Sequence, residues 1–240
     1  MVRAKSIAGA LCALFAITCF DGRPAQAQST LFNIPSTDVV AKKRVYLEFD
    51  FISHLEGHDE GGFQAYAPRA VFGVGKGIEI GANVAFLDAQ APDQPVEFQP
   101  NVKYQFYSNE DNGVSAAAGG ILYTPIANRA GVDTFGLLYT VVSKKVKGSY
   151  GPRLTGGGYG LVGRANGNGS EGGAVVGYEQ PVHRRVSFVA DWLSGKNRFG
   201  YVTPGFSVAL PKSSALYAGY SIGNVGRKNN ALFVYYGITF

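Results

Sequence analysis

Charged and amide side chains recur at every second position in several segments of the chain, with apolar residues between them. In one of these segments, Glu97 and Lys103 lie on the face opposite to Phe98. Charges that share one face can select ions or orient polar solutes if that face lines a water-filled passage. The residues predicted to line such a passage are Glu48, Asp50, Arg69, Glu79, Asn83, Glu97, Gln99, Asn101, Lys103, Gln105, Arg153, Glu179 and Asp191.

These charges leave two alternatives open, because a charge kept inside a narrow barrel needs a partner or water. In the first alternative, acids and bases lie on opposite walls of an open channel and act on the solutes that pass. In the second, they pair across the lumen and seal it.

Three histidines, His54, His58 and His183, are the candidate general bases. The only assembly that resembles a catalytic triad is Ser53 beside His54, with Asp50 on the same segment. Neighbouring strand residues point to opposite faces, so Ser53 and His54 are poorly placed to react together. We therefore predict no catalytic residues and no enzymatic activity.

The run from His54 to Glu60 contains two histidines and three carboxylates, which are possible ligands of a divalent ion. Short polar loops of this composition also occur without metal, and we predict neither a metal site nor a cofactor. The predicted leader accounts for +2 of the net charge of +5, and the remaining cations are scattered through predicted turns, without a basic helix or an aromatic platform. We expect no nucleic-acid partner.

The elements that must position the charges are β-strands, because apolar and polar residues alternate with a period of two. Alternating segments of roughly ten residues are typical of transmembrane barrels. The fold class predicted is all-β, an antiparallel transmembrane up-and-down β-barrel of about twelve strands. The strands are predicted at 45–51, 63–74, 78–86, 95–107, 114–124, 132–142, 152–162, 173–179, 186–192, 201–210, 216–222 and 232–240.

The first residues have the order of a secretory signal peptide, which is Arg3 and Lys5, an apolar run at 6–20, and a small-x-small site ending at Ala27. Both cysteines, Cys12 and Cys19, fall inside this leader. The predicted organisation is therefore a signal peptide at 1–27, a flexible periplasmic N-terminal lead-in at 28–42, and the barrel at 43–240.

The last segment alternates to its end, with Tyr236, Ile238 and Phe240 on one face. It resembles the C-terminal signal of bacterial outer-membrane barrels, which implies that these three residues are read by the barrel-assembly machinery. An even number of strands returns the C-terminus to the side of the N-terminus. The turns on that side are expected to face the periplasm, and the loops at the other end to face outward.

The hairpin at 66–81 contains Arg69 in its first strand, a short glycine-rich turn, and Ile78-Glu79-Ile80-Gly81 in its second strand, and 99–105 continues it as a polar-lined strand. It resembles a family of outer-membrane transporters linked by name to the meta-cleavage pathway of phenol degradation. The resemblance implies a channel or transporter, with apolar or aromatic molecules among its solutes.

The function expected from these observations is a passive or facilitated channel for an unidentified small-molecule solute in the outer membrane, surrounded by outer-membrane lipid. One alternative is a closed barrel with a structural or surface-interaction role. A second alternative is an outer-membrane lipid-modifying enzyme. A soluble lipocalin-like barrel or β-sandwich would instead hide the apolar face of each strand.

Overall fold

A computed structural model describes residues 29–89, 95–128, 133–163, 169–226 and 229–240. The predicted signal peptide and parts of four predicted loops lie outside these residues. The described residues contain no α-helix. Their one helical element is a short 3-10 turn at His58–Glu60. No helix in the described ranges is long and apolar enough to cross a membrane.

Twelve β-strands follow one another along the chain, which confirms the predicted fold class and number of strands. The largest differences from the predicted ends are of three residues, because strand ends depend on partners that the alternation does not show. The strands are β1 (Val45–His54), β2 (Phe63–Gly75), β3 (Ile78–Ala89), β4 (Val96–Asn109), β5 (Val114–Ala127), β6 (Phe135–Lys145), β7 (Arg153–Gly163), β8 (Gly172–Pro181), β9 (Val186–Leu193), β10 (Tyr201–Leu210), β11 (Ser214–Gly223) and β12 (Ala231–Thr239).

Each strand pairs antiparallel with its neighbours in sequence, and β1 pairs with β12 to close the barrel. The Phe240 N–H donates to the Val45 carbonyl at 2.8 Å, and the Val45 N–H donates to the Phe240 carbonyl at 3.2 Å. The closed ring therefore leaves none of the twelve described strands with an unpaired edge. We call the end of the barrel that carries residues 45 and 240 the termini end, and the other the opposite end.

The two faces of the barrel differ sharply in polarity. Large apolar side chains point outward and are about half exposed, as at Phe49 (48%) and Phe206 (53%). Charged side chains point inward and are almost fully covered, as at Glu79 (1%) and Lys103 (2%). These faces are reversed relative to a lipocalin-like barrel, which would keep its apolar residues inside.

Residues 29–40 lie inside the barrel, and we call them the N-terminal plug. They begin with a tight hairpin, in which Thr30 bridges Pro35 and the Leu31 N–H donates to the Ile34 carbonyl at 2.9 Å. Ile34 and Thr37 are fully buried. The predicted lead-in at 28–42 was expected to be flexible and outside the barrel, and the structure differs from that expectation over the plug.

The barrel wall has glycines where the plug approaches most closely. A Cβ built on Gly177 would lie 2.6 Å from Cδ1 of Ile34, and one on Gly219 would lie 2.8 Å from Cζ of Phe32. Cβ atoms essentially never show such separations, so a larger residue at either position would have to shift the plug side chain that lies against it. These glycines therefore fit the inner wall to the plug.

The substitution Gly177→Leu is expected to displace the plug while the strand ladder stays closed, because the Cβ contacts at Gly177 are with side chains. Ser36 is fully buried and can be replaced by the near-isosteric cysteine as a reporter. Thiol labelling of Ser36→Cys, followed on its own peptide by mass spectrometry, should be at least tenfold faster with Gly177→Leu.

The matched control is Gly156→Leu on β7, because no atom lies within 4 Å of a Cβ built there. It should label as slowly as the Ser36→Cys parent. Equal labelling rates in both glycine variants would show that Gly177 does not seat the plug.

Candidate functional site: the charged lumen

Two ion pairs lie on the inner wall formed by β1 to β4. Arg69 Nη1 is 3.1 Å from Glu48 Oε1, and Lys103 Nζ is 3.0 Å from Glu79 Oε1. All four side chains are at most 8% exposed. Removing one partner of such a pair leaves an uncompensated buried charge, which is strongly destabilising.

The pairing follows from hairpin register. Glu48 is directly opposite Arg69 in the β1–β2 pair, and Glu79 is opposite Lys103 in the β3–β4 pair. Directly opposed side chains on one face are close enough to interact. These two pairs thus form between neighbouring strands, and not across the lumen as the sealed alternative assumed.

The same wall holds the beginning of the plug. Lys103 Nζ donates to the Ser29 carbonyl at 2.9 Å, and Arg69 Nη2 donates to Ser29 Oγ at 3.0 Å. Ser29 Oγ donates in turn to Glu79, whose other oxygen accepts the Val40 N–H at 2.7 Å. The two ends of the plug, Ser29 and Val40, therefore both donate to the Glu79 carboxylate.

The opposite wall holds the turn of the hairpin. Asp191 on β9 accepts the backbone N–H groups of Asn33 (2.5 Å) and Ile34 (3.1 Å). The Asn33 side-chain amide also donates to Thr203 Oγ1 at 2.6 Å. Because β3 and β9 are six strands apart around the ring in either direction, the hairpin crosses the full width of the lumen.

The last part of the plug is held near the termini end. Arg153 forms ion pairs with Glu179, its cross-strand neighbour, and with Asp38 of the plug at 2.5 Å. Gln105 Nε2 donates to the Thr37 carbonyl at 2.9 Å. Two more predicted lining residues thus bind the plug directly.

The apolar side of the plug packs into an aromatic pocket on β11 and β12. The Phe32 ring lies 6.0 Å from that of Tyr217, 5.8 Å from Phe233 and 6.1 Å from Tyr235, measured between centroids. Tyr235 also donates its hydroxyl to the Leu31 carbonyl at 2.7 Å. Aromatic packing and hydrogen bonding therefore hold the same turn of the chain.

The remaining predicted residues form a weaker polar network. Asn83 Nδ2 donates to Gln99 Oε1 at 3.4 Å, and Asn101 Nδ2 donates to Asn83 Oδ1 at 3.5 Å. Asp50 is on the same inner face as Glu48, and its Oδ1 is buried without a hydrogen-bond partner among the described residues. The assignment of the thirteen predicted residues as the lining of a conducting passage stays a prediction.

At the opposite end, Arg198 is a lumen residue that the sequence analysis missed. It belongs to the loop between β9 and β10, and its Nη1 and Nη2 lie 2.8 and 2.7 Å from the two carboxylate oxygens of Glu97 on β4. Burial alone would lower the pKa of Arg198, but the hydrogen bonds and charge of Glu97 outweigh it and raise that pKa above its usual value. This loop therefore reaches across the barrel mouth, although it was expected to stay outside.

The residues that resembled a catalytic triad, Asp50, Ser53 and His54 on β1, do not form one in the structure. The His54 ring contacts the Asn230 carbonyl through Nδ1 and Glu56 through Nε2 at 3.3 Å, and it stacks on Phe63. The described residues contain no cluster of three or more metal-ligating side chains. The side chain of His58, one of the possible ligands, lies outside the described structure.

The C-terminal residues of the predicted assembly signal lie on the outer face. Tyr236 and Phe240 are 40% and 59% exposed, and Ile238 is opposite Leu47 of β1. Their recognition by the assembly machinery stays a prediction.

Fold and lumen define a class, the closed twelve-stranded antiparallel barrel with an apolar outer face and a plug formed by its own N-terminal segment. No protein-family model matches the chain, and no curated protein is significantly similar to it. The resemblance of the β2–β3 hairpin to the phenol-degradation transporters therefore stays a prediction.

The substitution Lys103→Met should lower the free energy of unfolding by about 3–5 kcal/mol, because it leaves Glu79 buried and unpaired. Adding Glu79→Gln should recover part of the loss, since the uncompensated charge is then removed. Urea unfolding of the detergent-solubilised protein, followed through the fluorescence of its single tryptophan, Trp192, measures both effects.

Lys147→Met is the matched control, because Lys147 is exposed in a turn at the termini end. It should change stability by less than about 0.5 kcal/mol. A loss in Lys103→Met no larger than in this control would contradict the assigned ion pair.

Proposed function

We propose that this protein is an outer-membrane β-barrel that passes small polar solutes and is closed at rest by its N-terminal plug. The observation that carries the proposal is how the plug is held. Its hairpin hydrogen bonds are internal, and its contacts with the wall are made by side chains such as Glu79, Lys103 and Asp191. The plug can therefore leave without breaking any strand pair of the barrel.

A membrane location is supported by the outer face. Large apolar and aromatic side chains are exposed there around the ring, and a contiguous apolar surface of this kind is rare on soluble proteins. Lipid would cover it, while the closed ring satisfies the backbone as a membrane requires. The partners proposed are outer-membrane lipid and, through the C-terminal strand, the barrel-assembly machinery.

The way out for the plug is at the termini end. The chain turns from the plug into β1 through residues 41–44, where Lys42 and Lys43 are exposed and the Lys43 N–H donates to the Gly73 carbonyl at 2.9 Å. This anchor keeps the plug tethered to the barrel mouth. By the predicted orientation that mouth faces the periplasm.

Withdrawal of the plug would uncover charges of both signs. The lumen charges would then exchange their contacts with the plug for water. The acids among them are Glu48, Glu79 and Asp191, and the bases are Arg69 and Lys103. Such a lining favours small polar or charged solutes over apolar ones. The apolar or aromatic solutes that the hairpin resemblance implies would instead suit the aromatic pocket that Phe32 leaves.

A permanently closed barrel is the second candidate, because the plug also satisfies most of the buried lumen charges and fills the aromatic pocket around Phe32. A lumen packed in this way stabilises a barrel without any transport. Conductance separates the two candidates directly. Enzymatic activity is not part of the proposal.

A disulfide between plug and wall should abolish conduction. Thr37 Oγ1 lies 2.6 Å from Ser115 Oγ on β5, so the pair Thr37→Cys and Ser115→Cys is within reach of a disulfide bond. In planar bilayers the wild type should show discrete single-channel openings, the oxidised double variant none, and the reduced double variant openings again.

Thr37→Cys alone is the control and should open with or without reductant. Lys103→Glu should shift the reversal potential toward cation selectivity, since it replaces a lumen cation by an acid. Openings that persist in the oxidised double variant would show that the plug is no gate. A complete lack of openings in the wild type and in a variant without residues 30–39 would establish the closed barrel.

A further inference from the structure

The Arg198 guanidinium lies in a cage of aromatic rings at the opposite end of the barrel. Its carbon atom is 5.2 Å from the ring centroid of Tyr123, 5.5 Å from that of Phe135 and 5.3 Å from that of Phe199. Each distance is within the range of a cation–π interaction. Together with the two hydrogen bonds to Glu97, the guanidinium is bound on several sides.

The rings and the carboxylate of the cage also contact one another and other residues besides Arg198. Tyr123 and Phe135, on neighbouring strands, stack with centroids 4.8 Å apart and an angle of 8° between their planes. Phe199 lies 5.1 Å from Tyr123, and Gln99 Nε2 donates to Glu97 Oε2 at 3.1 Å. The carboxylate and rings are therefore already placed for a cation.

The loop that carries Arg198 is also held by other residues. The Asn197 amide donates to Tyr159 Oη at 2.8 Å, and the Asn224 amide donates to the carbonyls of Leu193 (2.9 Å) and Gly195 (2.8 Å). The Arg198 side chain is 41% exposed, so solvent reaches it. None of the loop contacts named here uses the Arg198 side chain, so its rotation out of the cage would not require the loop to move.

Glu97 is only 5% exposed beside Arg198, and it loses its one cationic partner in the described structure if Arg198 leaves. Such a group needs a replacement cation with hydrogen-bond donors. A planar guanidinium matches the two carboxylate oxygens with two parallel N–H groups, and its face matches the rings. Neutral or anionic solutes lack one or both of these interactions.

We propose that Glu97, Tyr123, Phe135 and Phe199 form a binding site for solutes that carry a guanidinium group, and that Arg198 is its built-in occupant. Arg198 then competes with the solute and closes the site when no solute is present. The role of the site in uptake rests on the proposed channel function, whereas binding itself requires no membrane passage.

The test uses methylguanidinium as the probe and methylurea as its neutral isostere, with binding measured by isothermal titration calorimetry on the detergent-solubilised protein. Arg198→Ala should bind methylguanidinium saturably, at least tenfold more tightly than the wild type, because the competing side chain is gone. Methylurea should not bind. Methylguanidinium should also raise the unfolding temperature of Arg198→Ala, and methylurea should not.

Two further variants complete the test. Lys196→Ala removes an exposed cation from the same loop and should bind like the wild type. Glu97→Gln combined with Arg198→Ala should lose the binding that Arg198→Ala gained. The proposal is overturned if Arg198→Ala shows no saturable binding, or if binding is unchanged by Glu97→Gln.

This outcome is separate from that of the bilayer experiment. Binding that depends on Glu97, in a protein without conductance, would support the site and refute the channel. Conductance without such binding would support the channel and refute the site.

Discussion

The organisation of the lumen depends on the cost of keeping charges away from bulk water. Glu79 and Lys103 are almost fully buried in the middle of a wall that has an apolar outer face. Each has a partner of opposite charge and additional hydrogen bonds, as buried ions require. A large share of those additional bonds comes from the N-terminal plug, so the charges and the plug need one another.

This dependence explains the mixed character of the plug. Its polar groups, from Ser29 to Val40, satisfy the charged wall of β2 to β4, whereas Phe32 enters the aromatic pocket on β11 and β12. Gly177 and Gly219 leave the room that these side chains occupy. The plug therefore combines polar contacts that can exchange for water with apolar anchors at Leu31, Phe32 and Ile34.

The strands and their two faces could be predicted from the sequence, because each depends on local alternation. The pairs Glu48–Arg69 and Glu79–Lys103 could not be read from the sequence in the same way, because their strands are joined through residues 55–62 and 90–95, and loops of that length do not fix which residues are opposite one another. The plug could not be predicted either, because it has no periodicity and its partners are distant in the chain. Its one signal was the apolar run Leu31-Phe32 followed by Ile34, in a segment otherwise expected to be solvated.

Arg198 shows the same limit. Its partner Glu97 is about a hundred residues away and five to six strands around the ring, so no local pattern joins them. An arginine in a polar loop looks like any solvated residue. Its position depends on the width of the barrel and on the rings of Tyr123 and Phe135, which become neighbours only after the strands pair.

Amide hydrogen exchange of the plug tests most directly whether residues 29–40 occupy the lumen. The N–H groups of Leu31, Asn33, Ile34, Ser36 and Val40 all donate to buried acceptors. In detergent or lipid they should exchange far more slowly than a free peptide, and closer to the rate of the barrel strands. Exchange within seconds, beside protected strands, would show a free N-terminal segment and contradict the plugged lumen.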